Sequence, residues 1–152
     1  MQISGSQKIS APRQVVWHAL HDAETLRQCL PGCETAEFKS DTRLAIAVKV
    51  SFGIFSRVFK GRVKLSDKRP PEFYRMSGEG KGGTAGASKW TVDITLSEDT
   101  PDVTILAYAA TAELDGKLAQ LGGFVIEPVA RKMATRFLSD LQQHVEARRM
   151  AG

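Results

Sequence analysis

The chain has 152 residues, 42% hydrophobic and 25% charged, with 21 Lys and Arg set against 17 Asp and Glu for a formal charge of +4. That is enough for one domain with a real core, expected over residues 1–152. The cations are interleaved with acids, which argues against nucleic-acid binding and leaves a mild bias toward anionic lipid or acidic protein.

Residues 2 to 9 alternate weakly and read as an edge strand. Proline suits the first position of a helix because its φ is preset and its missing N–H is not needed there, so Pro12 is expected to open a short helix through Val16, Trp17, Ala19 and Leu20 to about His21. Asp22 is an N-cap candidate for a second short helix over Glu24 to Gln28, and Pro31-Gly32 ends it. Cys29 and Cys33 make no disulfide framework and read as free, partly buried thiols.

From Thr35 the apolar period becomes two. Leu44, Ile46, Val48, Val50 and Phe52 share one face of a strand, and Phe59, Gly61, Val63 and Leu65 share one face of the next. Gly53 marks the turn between them, Pro70-Pro71 the following break, and Phe73 to Met76 another strand. After the glycine-rich stretch 78–86, Trp90, Val92, Ile94 and Leu96 alternate with polar residues. Asp99-Thr-Pro101-Asp turns the chain into a last strand, Val103 to Leu114, with Leu106 and Tyr108 on one face. Turns this short force antiparallel neighbours.

The stretch from Leu118 to Val145 then steps by three and four residues through Leu121, Val125, Val129, Met133, Phe137 and Leu141, the spacing of one helical stripe. Such a helix is about 40 Å long at 1.5 Å per residue. Pro128 predicts a kink near Phe124 to Pro128; the alternative boundary is a helix that starts at Pro128 itself. The resulting fold class is α+β: a curved antiparallel sheet of about seven strands wrapped around a long C-terminal helix, with two short helices after the first strand.

No catalytic constellation emerges. His18, His21 and His144 lack a second ligand at zinc-binding spacing and read as surface or capping residues, so no metal site is expected. Gly78-x-Gly80-x-x-Gly83 fits the dinucleotide fingerprint only formally, because that motif needs a strand leading into a helix and here strands lie on both sides. The cluster Phe52, Phe55 and Phe59, close to side-chain-free Gly53, Gly61, Gly78, Gly80, Gly82, Gly83 and Gly86, points to an apolar void under the helix. The expected ligand-binding residues are Phe52, Phe55, Phe59, Trp90 and Tyr108 from the sheet with Leu121, Val125, Val129, Met133 and Phe137 from the helix. No tightly bound cofactor is expected, and the ligand would be lipophilic. A polyketide cyclase or aromatase-like enzyme and a partner-binding protein whose space is filled by Trp90 and the phenylalanines are the alternatives.

Several phrases, taken in order, resemble one family. Ala11-Pro12 followed by Val16-Trp17 and Leu20, then Leu30-Pro-Gly-Cys-Glu34, Phe59-Lys-Gly61, Leu65-Ser-Asp67, the glycines of 78–86 and Gly116-Lys-Leu-Ala-Gln-Leu-Gly122 are similar to the CoxG family of carbon monoxide dehydrogenase, within the START-like helix-grip (SRPBCC) superfamily. The resemblance implies a helix-grip fold and a non-catalytic accessory protein of molybdenum hydroxylases of the carbon monoxide dehydrogenase type. It also implies that the protein ties such an enzyme to the membrane and handles a quinone. Trp90 departs from a small residue in the family pattern, and the expected effect is a narrowed or reshaped pocket. MQISGSQKIS has no signal-peptide run and no apolar stretch approaches about 18 residues, so the expected location is the cytoplasm, with peripheral contact at the inner face of an anionic membrane. With Gly152 as the last residue, Arg148-Arg149 and the basic bias are the expected lipid contacts.

Overall fold

Alternating apolar residues and short turns build one continuous sheet. The computed structural model describes residues 1–52, 54–79, 87–114, 120 and 123–151. In chain order these are β1 (Gln2–Ile9), α1 (Arg13–Leu20), α2 (Ala23–Cys29), β2 (Cys33–Ser40), β3 (Arg43–Phe52), β4 (Phe55–Arg69), β5 (Phe73–Glu79), β6 (Ala87–Thr100), β7 (Val103–Leu114) and α3 (Gly123–Ala151). The strands form a seven-stranded sheet in the order β1-β7-β6-β5-β4-β3-β2, and every neighbouring pair is antiparallel. The two short helices carry the chain from one edge strand to the other, and α3 returns across the concave side.

Local sequence explains most boundaries. Asp22 caps α2 as its carboxylate accepts from the Thr25 amide at 3.1 Å. Pro12 sits one residue earlier in its helix than expected. It is the N-cap, with φ −61° and ψ 153°, because its extended ψ aims its carbonyl at the Val16 amide, 3.2 Å away. Gly32 has φ +76°, a left-handed conformation that costs glycine nothing, and its carbonyl accepts from the Lys49 amide at 2.8 Å, tying the end of α2 to β3.

Pro128 lies inside α3, as the leading expectation had it, and not at its start as the alternative did; the helix end is corrected, because it continues past Val145 to Ala151. Leu118 and Leu121 lie outside the described residues. Among the described residues, the fully buried positions of α3 are Ile126, Leu138, Leu141 and Val145, so Ile126 and Leu138 join the inner face while Val125, Val129, Met133 and Phe137 are only half-buried. A step of four residues overshoots a 3.6-residue turn by about 40°, so a stripe built from repeated fours winds around the helix.

The core lies at the end of the sheet nearest α1. Val16, Trp17 and Leu20 of α1 meet Leu44, Val63, Leu65, Tyr74, Ile94, Leu96 and Leu106 of the sheet and Leu138, Leu141 and Val145 of α3. Hydrogen bonds lock the same end. The buried Thr104 hydroxyl donates to the Ala11 carbonyl at 2.7 Å, the Ser10 amide to Glu146 Oε2 at 2.8 Å, and Arg149 Nη1 to the Ser10 carbonyl at 2.7 Å. Gln7 of β1 donates to Gln142 of α3.

Candidate functional site

Burial fades in the same direction along the inward faces of β4, β5, β6 and β7. On β4 the inward residues Leu65 and Val63 are buried, Gly61 is exposed and Phe59 half-buried. On β5 Tyr74 is buried, Met76 half-buried and Gly78 exposed. Leu96 and Ile94 of β6 are buried but Val92 and Trp90 are not, and on β7 Leu106 is buried while Tyr108, Ala110 and Ala112 are half-buried. The register places all the less-buried residues at one end of the sheet, since Val63 faces Gly78, Met76 faces Val92 and Val92 faces Ala110. The N-terminal half of α3 behaves in the same way. Between Ile126 and Leu138, a span of about three turns, no residue of the helix is fully buried.

Among the described residues, those that face inward yet remain partly accessible mark a candidate cleft at this end. Its described walls are Phe59, Trp90, Val92 and Tyr108 on the sheet and Val125, Val129, Met133 and Phe137 on α3, all half-buried. Trp90, Tyr108 and Phe137 also touch the buried core. Of the residues expected from sequence to line a site, these seven (Phe59, Trp90, Tyr108, Val125, Val129, Met133, Phe137) lie on the two facing surfaces. The side chains of Phe52 and Phe55, and Leu121 as a whole, lie outside the described residues. So do Gly53, Gly80, Gly82, Gly83 and Gly86.

Glycine does not mean empty space everywhere on this sheet. A Cβ at Gly78 would lie 2.8 Å from Cδ1 of Trp90, and one at Gly5 would lie 2.9 Å from Cε1 of Tyr108, so two aromatic rings already occupy that room. Gly61 is different: among the described residues, a Cβ there would meet no atom within 4 Å. The space expected beneath the glycines therefore has room at Gly61 and is filled at Gly78. The signal that sequence reading missed is the aromatic partner on an adjacent strand, Tyr108 directly opposite Gly5 in the register.

Polar chemistry is sparse in this cleft. The inward faces of β5 from Tyr74 to Gly78, of β6 from Trp90 to Leu96 and of β7 from Leu106 to Ala112 carry two ionisable groups, the phenols of Tyr74 and Tyr108. Burial pushes the Tyr74 phenol far above its ordinary range, which keeps it protonated. His21 is stacked on Trp17 with ring centroids 4.5 Å apart and lies 4.8 Å from the Tyr74 ring. Its Nδ1 is 2.8 Å from the Trp17 carbonyl and therefore donates, leaving Nε2 buried with no partner among the described residues. Desolvation holds this imidazole below its ordinary pKa. Cys29 and Cys33 are free thiols; burial pushes Cys29 up to about 11 and also raises Cys33, so neither is an activated nucleophile. Among the described residues no group of His, Cys, Asp and Glu could hold a metal ion, and no helix is long and apolar enough to cross a membrane.

Comparison with known structures supports the same architecture. The fold is similar to a conserved protein from Geobacillus kaustophilus (22% identity, 97% of this chain and 96% of the other, TM-score 0.84). It is also similar to a START superfamily protein from Mycobacterium smegmatis (15% identity, 96% and 97%, TM-score 0.76) and to the Zhui aromatase/cyclase from Streptomyces sp. R1128 (14% identity, 97% and 94%, TM-score 0.73). No curated protein matches the chain. Residues 5–146 match the CoxG subunit family of carbon monoxide dehydrogenase, so nearly the whole helix-grip fold described above, cleft included, falls within the match, and the chain belongs to that family.

Proposed function

We propose that this protein is a non-catalytic carrier that holds a lipophilic molecule, a quinone or another lipid, in the cleft between α3 and the sheet. It would serve as an accessory protein to a molybdenum hydroxylase of the carbon monoxide dehydrogenase type and help bring that enzyme to the membrane. The observation that supports this reading is the burial gradient: three turns of α3 carry no fully buried residue, and a Cβ added at Gly61 would meet no atom within 4 Å among the described residues. Leaving that much apolar side chain partly wet costs about 25 cal/mol for each Å² that a ligand would cover. A greasy ligand recovers that free energy. The near absence of ionisable groups on the described inward faces of β5, β6 and β7 favours binding over acid–base chemistry, which needs a titratable group within reach of the substrate.

Native mass spectrometry of the purified protein, followed by solvent extraction, tests the reading directly. A bound lipid or quinone is expected. Titration with a short-chain quinone should quench the Trp90 fluorescence saturably and leave a Trp90→Phe variant with only the Trp17 background. A protein that carries no lipid and shows no saturable quenching would remove the support for a carrier.

The membrane contact we assign to the β3–β4 hairpin. Ile54 at its turn is 95% exposed, an unusual position for isoleucine, and the outer face of the hairpin carries Lys49, Lys60, Arg62 and Lys64. Basic side chains near an anionic surface gain about 1 kcal/mol each, and an inserted isoleucine adds its own transfer free energy. This hairpin turn lies at the open end of the cleft, so docking there would present the opening to the bilayer. Ile54→Asp should reduce co-sedimentation with vesicles containing phosphatidylglycerol; equal pelleting of both proteins would place the contact elsewhere.

A further inference from the structure

A second cavity lies at the closed end of the molecule, away from the cleft. It has a volume of about 510 Å³ and sits between α1 and the last turns of α3, open to solvent on one side. Val15, Ala19 and Val145 give it an apolar floor. Its polar groups are His18, His144, Arg148, Arg149 and a single carboxylate, Asp22.

The hydrogen bonds show which of these groups are already committed. Asp22 accepts from both the amide and the hydroxyl of Thr25, at 3.1 and 2.6 Å. Because the Thr25 hydroxyl gives its only proton to Asp22, the His144 Nε2 that lies 3.3 Å from the same oxygen must donate to it. Asp22 is thus turned toward α2, and His144 is held by its far nitrogen. Arg149 is engaged with the Ser10 carbonyl and with Asp102, the latter at 3.4 Å. Arg148 has no hydrogen-bond or ion-pair partner among the described residues. What remains is a pocket with an apolar floor, one uncommitted guanidinium and the imidazole of His18 at its rim.

That combination selects an anion with a greasy body. A guanidinium fork matches a carboxylate in geometry and charge, and the floor asks for aliphatic or aromatic carbon beside it. We propose that this pocket binds a carboxylate carried on an apolar chain, either a free organic acid or the C-terminal end of a partner protein. It lies at the opposite end from the cleft mouth, so a partner held here would leave that mouth unobstructed.

The test uses the full chain labelled with ¹⁵N. Hexanoate and the tripeptide N-acetyl-Gly-Leu-Phe, with its terminal carboxylate free, are titrated separately and followed through the amide shifts of Val15, Ala19, Val145 and Arg148. Saturable shifts confined to this pocket are expected, with the methyl ester of the peptide at least tenfold weaker than the acid. Tighter binding of the peptide identifies a protein end as the source, and tighter binding of hexanoate a free acid. Arg148→Glu should weaken binding about tenfold or more. Arg136→Glu is an equal charge reversal on an exposed face of the same helix, about 18 Å away at 1.5 Å per residue, and should leave binding unchanged. Equal losses in both variants, equal affinity for acid and ester, or no saturable shift would each overturn the proposal.

Discussion

Gly61→Phe separates space from stability in the cleft. The built Cβ meets nothing within 4 Å among the described residues, so a side chain can leave the backbone there without striking a described neighbour. Replacing a strand-interior glycine removes unfolded-state freedom, a gain of roughly 0.5–1 kcal/mol, and about 1–4 °C in melting temperature for a chain of this size. The ligand faces the opposite effect. Forcing a phenyl ring into the room it would fill costs about 1–3 kcal/mol, the penalty typical of overpacking. At about 1.4 kcal/mol per factor of ten, affinity should fall roughly 5- to 150-fold. The assay pairs thermal denaturation with the quinone titration on one preparation. A variant that melts several degrees lower would mean the space is occupied by the protein itself, and one that binds like the native chain would mean the ligand lies elsewhere; either refutes the reasoning.

Burial also ranks substitutions along α3. Leu141→Ala, at a residue with 0% exposure, should cost about 2–5 kcal/mol in urea denaturation, whereas Val129→Ala on the half-buried stretch should cost less than about 1; similar losses would contradict the burial gradient. Gly78→Ala drives a methyl against Nε1 of Trp90 and to 2.8 Å from its Cδ1 and should displace the indole, shifting its emission to the red, while unchanged emission would show that the ring is not held against Gly78. His21 is held below its ordinary 6.5 by burial, so between that value and its lower folded pKa the unfolded chain binds more protons than the folded one. The stabilisation is complete above pH 6.5 and is lost as the pH falls through and below it. Denaturation midpoints from pH 8 to pH 5 should therefore drop more steeply for the native chain than for His21→Gln; parallel slopes would exonerate His21.

Much of the fold could be read from period alone, because a strand with one wet face must alternate, and residues such as Leu44, Val63, Ile94 and Leu106 declare their side. Asp22 was legible for a similar reason, since its carboxylate is the ordinary answer to a free helix N-terminus. The site was less readable. Whether a glycine opens a hollow depends on what stands across from it, and only the strand register brings Tyr108 over Gly5 and Trp90 near Gly78, the cross-strand arrangement in which an aromatic ring covers a glycine. Ile126 and Leu138 were hidden by the drift of four-residue steps around the helix. The Arg148 pocket leaves no periodic trace at all, because it joins residues more than a hundred positions apart.

If the cleft carries a ligand as proposed, the same helix does two incompatible jobs by dividing its length. An apolar cleft left open weakens a fold, so stability must come from elsewhere, and it comes from the last turns of α3, where Leu141 and Val145 are buried and Gln142, Glu146 and Arg149 are tied to Gln7 and Ser10. Pro128 lies in the other half. It cannot donate the backbone bond to the preceding turn, so the helix is weakest in bending at the end that is least packed. On the proposed carrier reading, a rod pinned at one end and softened at the other would let the cleft widen around ligands of different girth while the core stays closed. Substitutions should then act nearly separably in this protein, those before Phe137 mainly on ligand affinity and those after it mainly on the stability of the ligand-free chain.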